Sequence, residues 1–194
     1  MLPIMNDLSK QSHHFYTLIM ILFIDILISQ IEKMTGDIML TFKQDHDVFR
    51  YRSVGITITN DHILIHKQED NSYWSLPGGR CEFHESSEET IIREIAEELG
   101  EKITVLRLIW IIENFYTSQK YKYHEIALYY HIAFDDHSRI MDLSAVHQGR
   151  EAHTKLIFAW HPIDRLHTVN LKPEFLVNGL KNVPKHIEHI VVRY

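Results

Sequence analysis

Cysteine is almost missing from this chain: Cys81 stands alone. No disulfide framework can form within the chain, and the composition suits a reducing cytoplasm. Positive charge is also short, with 20 Lys and Arg against 26 Asp and Glu and a formal net charge of −6. That excludes binding to nucleic acid by bulk electrostatics, and no stable nucleic-acid partner is expected. A chain of this charge that handles phosphates must use metal ions or a few placed basic side chains. Zinc-site spacing is missing too. His is abundant, at 15 residues, but pairs such as His62/His66 and His186/His189 lack further Cys or His partners at the separations a structural zinc needs. There is no internal repeat and no low-complexity tract. The 194 residues, 45% of them apolar, are enough for one well-filled core and few for two.

A clean membrane-length apolar run is the remaining absence. Phe15 to Ile31 reads FYTLIMILFIDILISQI, and a spanning helix needs about 20 apolar residues without an aspartate such as Asp25 near the centre. No basic n-region and no A-x-A-like site mark a secretory signal. Residues 1–38 therefore form an extension with three readings. It is an appended amphipathic or buried helix, a membrane-associated segment, or an over-called gene start. The last follows because Gly36-Asp37, if encoded GGA-GAT in a bacterial gene, resembles a ribosome-binding site ahead of Met39. No membrane partner is expected.

From Met39 to the C-terminus the punctuation is that of one α/β domain with a mixed sheet and flanking helices. MLTFKQ suits a first strand. Ser53 to Thr59 and Ile63 to His66 are β-branched runs meeting at Asn60-Asp61, a hairpin signal. After the breaker Pro77-Gly78-Gly79, a helix is predicted over Ser87 to Leu99, closed by Gly100. Strands are predicted over Ile103 to Asn114 and His124 to Phe134, with an aromatic-rich turn between them. Asp135 to Thr154 reads as a long loop, Leu156 to Trp160 as a strand, Pro173 to Lys181 as a second helix, and Ile187 to Val192 as a last strand.

The chemistry concentrates in GRCEFHESSEETIIREIAEELGE, Gly79 to Glu101. Ser86 with Glu89 makes a capping-box pattern, and Gly100 suits the helix stop. Ile91, Ile92, Ile95 and Leu99 form an apolar stripe that must face the core. Glu94 and Glu98 lie beside that stripe one turn apart, and Glu97 sits on the adjoining row. Like charges at this spacing repel by several tenths of a kcal/mol each. A hard divalent cation offsets that repulsion, because magnesium takes a few carboxylates together with waters and phosphates. The alternative for a charge run alone is a solvated acidic face. Upstream, Leu76-Pro77-Gly78-Gly79 offers a tight loop with free carbonyls, and Glu85 is placed to pair with Arg93 and brace loop against helix.

This segment resembles the Nudix box, G-x5-E-x7-R-E-U-x-E-E-x-G-U with U aliphatic. Gly79, Glu85, Arg93, Glu94, Ile95, Glu97, Glu98 and Gly100 match, and Glu101 departs at the last aliphatic position. WSLPGG before the box and WHPIDRL, Trp160 to Leu166, are similar to sequences flanking it in many members, so the resemblance covers Met39 onward. It implies a Nudix-type α/β/α sandwich with a mixed β-sheet in a single domain. It also implies metal-dependent hydrolysis of the pyrophosphate bond in a nucleoside diphosphate linked to another moiety. By the resemblance, Glu94, Glu97 and Glu98, with the Gly79 carbonyl, hold Mg²⁺ or Mn²⁺, with Arg93 and Glu85 completing the catalytic set. Glu94 is the first candidate for general base. Oxidised or non-standard nucleoside triphosphates, nucleotide sugars, dinucleoside polyphosphates and capped or triphosphate RNA ends are the substrate candidates, the acidic balance weighing against the last. The alternative is a non-catalytic regulatory module that binds a nucleotide, although such modules commonly lose box glutamates that are all present here.

Outside the box, Glu113 and Glu125 are candidates for an extra ligand or base. Arg52, Lys67 and Arg80, with His124 more weakly, are placed to meet phosphate. Phe115, Tyr116, Tyr121 and Tyr123 suit stacking on a base, or packing against the appended helix or a second subunit, so a homodimer stays open. Trp74 reads as core, and Cys81 and His84 receive no chemistry.

Because Phe15 to Ile31 has no expected role in the site, the chain beginning at Met39 should be soluble and fully active. Specific activity of both forms tests this; a large loss on truncation shows that residues 1–38 belong to the fold.

Overall fold

The computed structural model describes residues 39–150 and 155–194; the expectations for residues 1–38 lie outside them. The strands are β1 (Thr41–Gln44), β2 (Asp47–Ile56), β3 (Ile58–Thr59), β4 (His62–Gln68), β5 (Gly78–Arg80), β6 (Ile103–Ser118), β7 (Tyr121–Phe134), β8 (Val146–Gln148), β9 (Leu156–Pro162) and β10 (Glu188–Arg193). The helices are α1 (Ser87–Leu99) and the single turn α2 (Leu176–Gly179), with 3-10 turns at Arg139–Met141 and Ile163–Thr168. One sheet runs β1-β2-β7-β6-β10, with β5 added to β2; the other runs β3-β4-β9-β8. The first sheet is mixed, since β2 and β7 pair in parallel, as do β6 and β10, while β6 and β7 are antiparallel. Among the described residues, no helix is long and apolar enough to cross a membrane.

Strand alternation divides the core between two faces. Ile63 and Ile65 of β4 and Ala127 and Tyr129 of β7 join Leu166, Leu171, Leu176 and Leu180 from the C-terminal segment. Their neighbours Leu64, Tyr130, Ile132 and Phe134 join Ile91, Ile95 and Leu99 of α1. Helical layers thus cover strands on both sides, giving the α/β/α sandwich with a mixed sheet.

Helix α1 begins and ends where expected. Ser86 Oγ accepts from the Glu89 amide at 3.2 Å, and the Ser86 amide donates back to Glu89 Oε2 at 2.8 Å. Gly100 closes the helix at φ 68°, its N–H bonding the Ala96 carbonyl. Two arginines serve this end of α1: Arg139 Nη2 donates to the Leu99 carbonyl at 2.8 Å, and the Arg150 guanidinium lies where a Gly100 Cβ would be. Positive charge there complements the helix dipole.

Several expectations need correction. The Asn60-Asp61 turn forms, with φ of 48° and 59° matching a two-residue hairpin of type I′. However, Ser53 to Thr59 is two strands: Ser53–Ile56 ends β2 in one sheet and Ile58–Thr59 starts the hairpin in the other. The aromatic segment after Glu113 is strand, not turn. Tyr116 stacks on Tyr123 at 4.7 Å and Phe115 on His124 at 4.3 Å, and such cross-strand aromatic pairs extend a ladder. The connection shrinks to Gln119-Lys120. Within Asp135 to Thr154, a 3-10 turn and β8 replace part of the expected loop. The helix expected over Pro173 to Lys181 is one α-turn preceded by i−3 bonds from Leu176, Val177 and Asn178. Ile92, assigned to the apolar stripe of α1, is 44% exposed, because the core needs only the narrower arc of Ile91, Ile95 and Leu99.

Candidate active site

Two glycines let the box loop approach its neighbours. Gly78 has φ 136°, and a Cβ there would strike the Ser53 carbonyl across the ladder; a Cβ on Gly79 would overlap the Glu94 carboxylate. Strand β5 therefore lies against both β2 and α1, with Gly79 opposite Ser53 and Arg80 opposite Arg52.

Arg93 organises the box. Its Nε and Nη2 grip Glu85 through both carboxylate oxygens, at 2.8 and 3.0 Å. Nη1 donates to Glu94 at 3.1 Å and Glu97 at 3.0 Å, and Nη2 also donates to the Arg80 carbonyl at 3.1 Å. Glu85 further accepts from Thr90 Oγ1 at 2.8 Å and from the Glu82 amide at 3.2 Å. These bonds, the Arg93 pair foremost, hold the Glu85 pKa below its ordinary value despite burial. The expected brace is present.

The three helix glutamates differ. Glu94 and Glu98 are buried, 7% and 6% exposed, beside the core residues of α1, while Glu97 stays open to solvent. Burial raises the Glu94 pKa, with Arg93 pulling the other way. Among the described residues, no three His, Cys, Asp or Glu side chains converge as a metal site. Arg93 instead lies between Glu94 and Glu97. The donors present are nonetheless hard carboxylate oxygens beside a glycine with no Cβ, which is the chemistry Mg²⁺ or Mn²⁺ takes.

Beyond the box, Arg52 Nη2 donates to the Gly78 carbonyl at 2.9 Å, and Nη1 lies 3.8 Å from Glu125 Oε2. Burial opposes the Arg52 charge, yet Glu125 first, then Tyr129, Tyr116 and Glu98, outweigh it and raise its pKa. The buried Glu125 faces Asn114 across the β6–β7 register, whereas Glu113 faces Ile126 and so projects from the opposite sheet face. The structure brings Glu125 to Arg52 but not Glu113, which accepts from His124 Nε2 at 2.9 Å. Phe115 lies between His124 and the Arg193 guanidinium, 3.8 Å from its ring. Tyr116 is on the Glu125 face, and burial, with Glu125 next, pushes its pKa up to about 12. Lys67 donates to the Glu69 and Asn71 carbonyls at 3.3 Å, away from the box. Cys81 is fully buried, which raises its thiol pKa.

His66 is a site neighbour that sequence reasoning missed. It is buried, and Nδ1 lies 3.8 Å from Glu98 Oε2. Burial, then the Arg52 charge, lowers its pKa to about 3 against a weaker pull from the Leu76 carbonyl. The signal was available: Leu64, two residues earlier on β4, faces α1, so alternation turns His66 the same way. Asn114 was missed as well, and only register identifies it.

A family model described as the NUDIX domain matches residues 49–181. The chain is 33% identical over 75 residues to a Bacillus subtilis (strain 168) protein provisionally named an ADP-ribose pyrophosphatase, covering 37% of this chain and 36% of that one. It is 42% identical over 62 residues to an RNA pyrophosphohydrolase of Ruthia magnifica subsp. Calyptogena magnifica, covering 29% and 35%. The matched segments thus span little more than a third of these relatives. A crystal structure of a UDP-X diphosphatase is similar at TM-score 0.52 and 18% identity, over 87% of this chain and 74% of that one, a likeness of fold.

Glu85→Gln should lower the melting temperature by roughly 2–8 °C, since Arg93 loses a charged partner. The sign follows from the depressed pKa. The Glu85 contribution is full above its ordinary value of 4.5 and is lost as pH falls through the lower folded value. Melting curves from neutral to strongly acidic pH should therefore converge for wild type and variant; a constant gap at the acid end contradicts the assigned pair.

Proposed function

The chain belongs to the NUDIX domain family, and on that premise we propose that it hydrolyses the pyrophosphate bond of a nucleoside diphosphate linked to another moiety. The observation that carries this is the pair of buried carboxylates, Glu94 and Glu98, one turn apart on α1, with Glu94 against the bare Cα of Gly79. Two acids at this depth suit a site that receives compensating positive charge.

In this reading Glu94, Glu97 and Glu98, with the Gly79 carbonyl, hold Mg²⁺ or Mn²⁺. Bound there, the cation would neutralise diphosphate charge and acidify water. The protein groups then divide the remaining work. Glu94 is the first candidate to take the proton of the attacking water, steadied by Arg93 Nη1. Arg93 and Glu85 fix the loop to the helix. Arg52 pins the Gly78 carbonyl and is balanced by Glu125, which makes these two holders of the loop as much as phosphate contacts. Arg80, beside Arg52 in register, and Tyr116, on the Glu125 face, are the nearer candidates to meet substrate. Phe115, Glu113 and Lys67 have contacts elsewhere and rank lower. A nucleoside triphosphate, a nucleotide sugar or a dinucleoside polyphosphate would satisfy this chemistry, and a cytoplasmic setting accords with the single buried thiol.

Turnover of such substrates should vanish after exhaustive EDTA treatment and return with Mg²⁺ but not Ca²⁺, which is larger and looser in coordination. Glu98→Gln should slow turnover about 10²-fold or more while leaving the melting temperature unchanged or slightly higher, because repulsion with Glu94 is relieved. Full turnover without metal, or near-normal turnover of Glu98→Gln, sinks this reading.

A further inference from the structure

His66 occupies a position where packing alone calls for an apolar residue. It sits in the middle of β4, opposite Phe158 of β9. Its ring lies 5.3 Å from the Phe158 ring, and its backbone is locked to Ser75 by reciprocal bonds of 2.8 and 2.9 Å. Its Nδ1 is buried and has no hydrogen-bond partner among the described residues. A leucine would fill such a place without burying a polar atom, and an orphaned buried nitrogen is costly. What Nδ1 faces is the Glu98 carboxylate, 3.8 Å away. That distance exceeds a hydrogen bond, and an approach of about 1 Å closes it.

We propose that His66 is a positioning residue for Glu98, its Nδ1–H donating to the carboxylate and holding it toward the cation site. This rests on the proposed role of Glu98 as a metal ligand. A neutral donor is suited to the task. It orients the carboxylate while leaving its full negative charge for the cation, whereas a lysine or arginine would supply a competing charge. The Leu76 carbonyl is a second acceptor for the same ring, so two groups compete for one N–H. A hydrogen bond to an ionised carboxylate is stronger than one to a carbonyl, which selects the Nδ1–H tautomer.

Two measurements test this. In the full chain, ¹⁵N imidazole spectra, with the His66 signals assigned by their loss in a variant, should show protonated Nδ1 and bare Nε2; the reverse tautomer overturns the proposal. Then Mn²⁺ affinity, without substrate, is compared for His66→Asn and His66→Gln alongside their melting curves. The Asn amide lies where Nδ1 was, and the Gln amide lies where Nε2 was. His66→Gln should bind Mn²⁺ about 10-fold or more weakly, and His66→Asn should recover most of the loss. Equal affinities in both variants, whether weakened or not, overturn the assignment. Should neither variant fold, the wild-type tautomer decides, with the His66 signals assigned instead by through-bond correlation to the backbone. Wild type that binds no Mn²⁺ refutes the metal-site reading itself, a result distinct from a wild type that binds normally beside an unaffected His66→Gln.

Discussion

The Arg93 guanidinium is the contact on which the rest of the box depends. Its planar fork reaches both oxygens of Glu85, the Arg80 carbonyl, and the carboxylates of Glu94 and Glu97. Those acceptors belong to three pieces of chain: strand β5, the loop before α1, and α1 itself. No lysine could replace it, since a single ammonium cannot grip one carboxylate bidentately while serving others in a fixed plane. Because Arg93 is itself on α1, every bond it makes also sets the rotation of that helix about its axis. The rotation in turn decides which glutamates enter the interior.

That coupling resolves the conflict in a chain with surplus negative charge. Glu94 and Glu98 are placed among core residues, where carboxylates are expensive to bury. The cationic groups Arg93 and Arg52 stand close by, each already committed to carboxylates and to loop carbonyls. Local positive charge is thus spent on holding geometry, and little is left over for an incoming phosphate.

Local pattern made α1 legible almost to the residue. Ser86, Glu89 and Gly100 specify its ends through bonds within a single turn. The Glu85–Arg93 pair was legible for a related reason, lying eight residues apart across one helix start. Other features depend on register, which no local pattern carries. Arg52 meets Glu125, and Asn114 faces Glu125, only because β2, β7 and β6 align as they do. Polarity misled at 115–123, where tyrosines and lysines looked like a turn but pair across two strands. It misled again at Pro173, whose helix-start signal opens only one α-turn. Ile92 shows the limit of hydrophobic patterning: an apolar residue on the stripe's margin is left in water when the facing layer is narrow.

Strand β2 carries β1 and β5 along one edge and β7 along the other, so a single strand is the ruler for loop, sheet and helix alike. Its side chains alternate, with Arg52 and Val54 on one face and Ser53 on the other. An insertion or deletion of one residue within β2 would advance the box loop by about 3.3 Å and invert the facing of Arg52 in the same stroke. Single substitutions can tune this centre, but changes in strand length must come in pairs. Length changes should therefore be tolerated in connections outside β2, such as Gln119-Lys120 between β6 and β7, where chain can be added without moving the ruler.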